Sequence, residues 1–177
     1  MVPESTRANA VRLYIARDFP NRWELLVTLL EGSRFADSSL FRWHDRWWLF
    51  AETSADVSHT TLRLFTAERL IGPWNEHPKS PIVAADGRIA RPAGRVIISD
   101  DVPMRFAQDC EPVYGTSVSA FAITTLTADA YAECIVQSNP ILSGSGRGWN
   151  VGGMHHVDPH PLPSGEWVAS VDGWRAI

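Results

Sequence analysis

Asp37, Glu52 and Asp109 are the carboxylates whose placement offers chemistry. Asp37 heads an apolar run, and Glu52 and Asp109 each close one. A carboxylate pair flanking a glycosidic bond can hydrolyse it, at about 5–5.5 Å separation with retention and about 6.5–9.5 Å with inversion. Asp37 with Asp109 or Glu52 is therefore the candidate catalytic set. Arg91 stands where Asp37 stands one unit later, and His155 and His156 stand there in a third unit. A guanidinium fork suits bidentate contact with a sugar hydroxyl, carboxylate or phosphate. Arg91, His155 and His156 are thus candidate substrate-binding residues, Gln108, beside Asp109, is counted with them, and Trp149 is a candidate sugar platform. Each has a structural alternative. An acid at a strand end often caps backbone N–H groups, Arg91 and Asp109 could form an ion pair tying neighbouring units, and Trp149 could plug a seam.

His156, Asp158 and His160 alternate, so on a strand they share one face. They are either a three-ligand metal set or a solvated edge, and Pro159 and Pro161 favour the edge. No phosphate-binding glycine loop, nucleophile elbow or zinc motif is present, so neither cofactor nor metal is assigned.

The elements that must position these residues repeat. Phe41-Arg-Trp-His-Asp-Arg-Trp-Trp-Leu-Phe-Ala-Glu52 reads as strand, polar corner, strand, acid. Val96 to Asp109 and Val157 to Asp172 follow the same plan, and Met1-Val-Pro-Glu4 resembles the end of one more copy. Apolar runs joined by a short polar turn are hairpins. A recurrence of roughly fifty residues with several strands per copy predicts β-propeller blades. The acidic markers are Glu4, Glu52, Asp109 and Asp172.

Strands are expected at 11–16, 23–30, 38–44, 46–52, 61–67 and 74–77 in the first part of the chain. Further strands are expected at 95–99, 104–108, 117–124, 131–137, 154–158 and 166–171. Residues 1–10 are read as irregular. Residues 139–153, with five glycines and a proline, are read as a loop. Trp23–Leu30 fits helix or strand by periodicity, and its place in the repeat selects strand. The fold class is all-β, a partial propeller of about three blades' worth of four-stranded antiparallel sheets. Residues 1–177 are read as one domain, truncated at both ends.

Composition narrows the function classes. The chain is 45% hydrophobic and 20% charged with a net charge of −4 and no basic block, which argues against nucleic acid as a partner. Eight tryptophans fit packed sheets and also sugar stacking. Two cysteines, far apart and in no metal spacing, suggest a reduced cytoplasmic protein. No signal peptide and no membrane-inserting segment is read. Open blade edges recruit strands, so self-association is expected.

Further motifs carry a family likeness. They are Phe35-Ala-Asp-Ser-Ser-Leu-Phe41 with Trp47-Trp-Leu-Phe50, Leu64-Phe65 with Gly72-Pro-Trp74, Ala90-Arg-Pro-Ala-Gly-Arg95, and Ala107-Gln-Asp-Cys110 with Tyr114-Gly115. Together, over residues 1 to 172, the chain resembles the N-terminal-domain family of glucosamine inositolphosphorylceramide transferase. That resemblance implies a fold similar to the five-bladed propellers of arabinanases, levansucrases, invertases and glycoside hydrolase family 43. It departs at His155-His156, where the family commonly has His-Thr, and at residues 99–104, where the family has a glycine turn. The function expected is a carbohydrate-binding or carbohydrate-active module accessory to glycan transfer, with a glycan or sugar nucleotide as ligand. The alternatives are a glycoside hydrolase using Asp37, or an inactive fragment.

Overall fold

The computed structural model describes residues 1–56 and 58–175. It is all-β and forms part of a propeller. Strands β1 (Ala10–Asp18) and β2 (Arg22–Glu31) form an antiparallel hairpin. Strands β3 (Ala36–Trp43), β4 (Arg46–Glu52), β5 (Leu62–Ala67) and β6 (Asn75–Glu76) form one four-stranded sheet in sequence order. The third sheet holds β7 (Arg91–Pro92), β8 (Ile97–Ser99), β9 (Val102–Asp109), β10 (Ser117–Leu126), β11 (Tyr131–Ile135) and β12 (Leu142–Ser143). Strands β13 (Gly153–Pro161) and β14 (Trp167–Trp174) close the order as a second hairpin.

The Trp-Trp-Leu-Phe-Ala run is continuous because β4 lies between two neighbours. Trp48 and Phe50 join Leu62, Leu64, Val96 and Ile123 in the seam toward the third sheet. Leu49 and Ala51, on the alternate face, join Val11, Leu13, Phe35 and Phe65 in the seam toward the first. A third apolar cluster of Ala93, Phe106, Val118, Ala120 and Val157 glues the third sheet to β13. A strand covered on both faces has no polar side to alternate with. Polar ties reinforce the middle seam. The Val96 N–H donates to Ser39 Oγ at 3.0 Å, and His77 Nε2 donates to the Thr127 carbonyl at 3.0 Å. His77 Nδ1 meanwhile accepts from the Lys79 N–H, which fixes its tautomer.

Three local features differ from the sequence reading. The inner strand expected at 95–99 forms as β8 over 97–99, and an unexpected short strand, β7, precedes it, both paired with β9. Gly94 separates the two with φ +148°, and a Cβ there would overlap the Val157 carbonyl. The close approach arises because the Val157 N–H donates to the Ala93 carbonyl at 2.8 Å, joining two blades by backbone. The outer strand expected at 131–137 ends at Ile135, and β12 continues the edge from inside the expected loop. Between the two, the Asn139 amide stands in for a peptide group. Its Oδ1 accepts from the Ala120 N–H at 2.9 Å and its Nδ2 donates to the Ala120 carbonyl at 3.0 Å. Residues 1–10 carry a 3₁₀ turn at Thr6–Ala8, and Met1 pairs with Tyr14 through both backbone groups. Residues 176–177, part of the expected terminal segment, lie outside the described residues.

Candidate functional site

The channel mouth forms where β3 begins and β4 and β9 end. Asp37 reaches it through a bulge. Ala36 pairs with Glu52 and Ser39 with Phe50, so β3 spends one residue more than β4 over this stretch. Asp37 has φ +44°, a left-handed backbone that costs a non-glycine residue roughly 1–2 kcal/mol. Bulges near sites re-aim side chains. Here the bulge coincides with an Asp37 carboxylate whose Oδ2 accepts from Arg91 Nε at 2.6 Å and from Gln108 Nε2 at 3.0 Å.

Arg91 is the hub. It starts β7, is buried, and its Nη1 donates to the His59 ring, 3.0 Å from Nε2. His59 Nδ1 lies 3.2 Å from Glu52 Oε2. Arg91 Nη1 also lies 3.3 Å from Nδ1, so the guanidinium sits against the ring between its two nitrogens rather than on one lone pair. Tyr114 covers the guanidinium, its ring centroid 4.9 Å from the Arg91 Cζ, and it flanks the rings of His59 and His155. The Tyr114 loop is pinned by the Trp174 indole N–H donating to the Gly115 carbonyl at 3.1 Å.

Glu4 completes the cluster, 3.8 Å from Arg91 Nη2 and hydrogen-bonded to Asp37. That hydrogen bond, with burial and the Asp37 charge, raises the Glu4 carboxyl to about 7, against a smaller opposing pull from Arg91. Burial alone would push Asp37 up. The hydrogen bond from Glu4 and the Arg91 charge outweigh it and hold Asp37 below the usual carboxylate range. The two carboxyls interact strongly, so they titrate in two steps that belong to the pair.

These acids line one side of a cleft of about 520 Å³ that runs along β3. Asp37, Glu4, Ser38, Arg95 and His156 supply its polar wall, and Leu13, Leu40, Trp47 and Leu70 supply an apolar one. An aromatic and aliphatic wall facing a polar edge suits a ring with one C–H face and one hydroxyl edge.

The structure brings Asp37, Arg91 and Gln108 into direct contact and puts His156 in the same cleft. His155 lies beside Tyr114, its Nε2 3.3 Å from Asp172 and its Nδ1 buried without a partner among the described residues. Glu52 joins through His59 and is sealed. It has no exposed surface, Ser54 N–H donates to its Oε1, and Arg34 Nη1 lies 3.3 Å from Oε2. Asp109 is not in the cluster. Its Oδ1 accepts the Glu111 N–H at 2.8 Å and organises the turn after β9. Asp109 follows Gln108 on a strand, so when one faces the mouth the other faces away. Trp149 is exposed and lies outside the cleft lining. Asp158 and His160 are engaged with each other and with Arg95, whose Nε lies 2.5 Å from Asp158. Sequence reasoning missed His59, Tyr114 and Arg34 as members of the site. His59 sits in an unpatterned polar loop with φ +58°, and nothing in its neighbours signals that.

With that geometry in place, comparison with known proteins locates the chain. The family model described as "Glucosamine inositolphosphorylceramide transferase 1, N-terminal" matches residues 1–174. Glucosamine inositolphosphorylceramide transferase 1 of Oryza sativa subsp. japonica is 36% identical over 180 residues, covering 99% of this chain and 24% of that protein. The Arabidopsis thaliana protein of the same name is 31% identical, with 99% and 23% covered. The chain thus spans about a quarter of the length of these relatives. Among solved structures, the GH43B of the Bacteroides ovatus xyloglucan PUL superposes with a TM-score of 0.54 at 13% identity. That match covers 86% of this chain and 29% of the other, and it supports the propeller fold.

Proposed function

Because the chain belongs to the N-terminal-domain family of glucosamine inositolphosphorylceramide transferase, we propose that it is a carbohydrate-binding module accessory to glycan transfer. Its ligand would be a glycan, the sugar part of a glycoconjugate, or a sugar nucleotide. The observation that carries this reading is the engagement of Asp37. Its carboxylate oxygen Oδ2 is held by Arg91 Nε and Gln108 Nε2, which ties it to protein donors rather than leaving it free to attack or to activate water. Glu52 is closed off and Asp109 is turned into a loop, which removes both expected partners for Asp37. The cleft's apolar wall would take a sugar face, and Asp37, Arg95 and His156 would take its hydroxyls.

The test is calorimetric titration of the 177-residue chain with free sugars and nucleotide sugars, alongside turnover assays on the same compounds. Saturable binding that falls at least tenfold in His156→Ala, with no product formed, supports the module. Absence of binding across the panel overturns it.

One observation favours a second reading. Glu4 and Asp37 have environments that push their proton affinities apart, as an acid and a base require. If hydrolysis of aryl glycosides is seen and its alkaline limb near pH 7 is lost in Glu4→Gln, catalysis replaces binding. Self-association is also proposed, through β14, where Trp167 and Val168 are exposed. A monomer in sedimentation at high concentration would end that idea.

A further inference from the structure

A second groove lies at the opposite end of the sheets. The strand ends Trp43 on β3, Val102 on β9 and Leu126 on β10 meet there, as far along their strands from Asp37, Asp109 and Ser117 as the sheet allows. The groove has a volume of about 500 Å³, and its lining includes Trp43, His44, Asp101, Val102, Thr125 and Thr127. Trp43 packs against the middle seam from its edge. The His44 ring lies 4.3 Å from the Trp43 ring, tilted by 52°, so the two rings meet as an aromatic corner. Among the described residues, neither the Trp43 indole N–H nor the Thr125 hydroxyl has a protein hydrogen-bond partner. No lysine or arginine among the described residues lines the groove.

Two tight corners build this surface. His44 turns β3 into β4 with φ +49°, and Asp100 and Asp101 turn β8 into β9 with φ +49° and +58°. Glycine, asparagine and aspartate are the ordinary occupants of such corners. The second corner follows that rule and the first, with His44, does not, and His44 and Asp101 both line the groove. Strain of this kind, once observed, is a reason to look for a function.

We propose that this groove is a second saccharide-binding site, independent of the channel mouth, for a neutral oligosaccharide. Trp43 and His44 offer the face on which a sugar's C–H bonds stack. The Asp101 carboxylate and the Thr125 hydroxyl offer acceptors and a donor for its hydroxyls. The absence of any cation in the lining sets it apart from a phosphate or uronate site.

The experiment uses the ¹⁵N-labelled chain, with the Trp43 indole signal assigned by Trp43→Phe. Cellobiose, xylobiose and mannobiose are each titrated to tens of millimolar. The expected result is a saturable shift of the Trp43 indole signal with at least one of them. His44→Gly should raise Tm by relieving strain and weaken that saccharide at least tenfold. Three flat titrations overturn the proposal, and so does a stabilised His44→Gly that binds as tightly as the parent. Shifts confined to Tyr114 and His156 overturn the second site while leaving the channel-mouth reading in place.

Discussion

Replacing Arg91 by methionine tests the central claim that the mouth is an electrostatic unit. The Arg91 side chain is 10% exposed and the Asp37 side chain 32%. Breaking a fully buried ion pair from one side costs about 3–5 kcal/mol, because the surviving charge stays desolvated. Asp37 keeps Gln108 as a donor and has some solvent contact, so the expected loss falls to about 2–3 kcal/mol. For a chain of this length that corresponds to roughly 5–10 °C in Tm. The double variant Arg91→Met/Asp37→Asn removes both charges and should recover about half the loss. Urea denaturation followed by tryptophan fluorescence measures the parent, Arg91→Met, Asp37→Asn and the double variant, which closes the cycle. The deficit of the single variant should also shrink at acid pH, where a protonated Asp37 no longer needs a cation. A loss under about 0.5 kcal/mol at neutral pH, or strict additivity in the double variant, would refute the reasoning.

Other outcomes follow from the same structure. Glu4 binds its proton more tightly folded than unfolded, so its stabilising contribution is complete below its ordinary value of 4.5 and is lost as pH rises to about 7. Glu4→Gln should flatten the fall of Tm across that window, and an unchanged profile would place the proton elsewhere. Asp37 has the opposite sign, its contribution being present above its ordinary 3.8 and lost as pH falls through its lowered value. Gly94→Val should cost about 2–4 kcal/mol in chemical denaturation, since neither the Val157 carbonyl nor the bonded Ala93 backbone can yield. Trp48→Ala should cost about 3–5 kcal/mol in the same assay, while Trp167→Ala, which is 49% exposed, should stay within about 0.5 kcal/mol.

The hairpins were legible in the sequence because period, corner and closing acid coincide, as in Leu40 to Glu52. The separate strand β7 before Gly94 was not, because the break at Gly94 is caused by a neighbouring blade's carbonyl rather than anything local. Asn139 likewise reads as a loop residue, yet its amide replaces a peptide group in the ladder. At the site, Asp37 and Arg91 were singled out by their positions in the repeat and Gln108 by the Gln-Asp-Cys motif, and the three are in contact. Asp109 was expected beside them, and strand alternation explains its departure, since adjacent residues cannot share a face. His59 and Tyr114 come from loops whose paths depend on long-range contacts, so no periodicity could announce them.

The separate apolar clusters at each seam bear on how the molecule opens. No single nucleus spans the chain, and each sheet borrows stability only from its neighbours, as in a short linear array. Amide hydrogen exchange should therefore grade outward. β4, clamped on both faces, should exchange only through the largest openings, and β2 and β14, each with a neighbour on one side, should exchange through small local ones. The mouth residues straddle that gradient, with Asp37 on the slow side and His155 and His156 on the fast side. A ligand bridging them would be felt most by β13, whose protection should rise well before that of β4 changes.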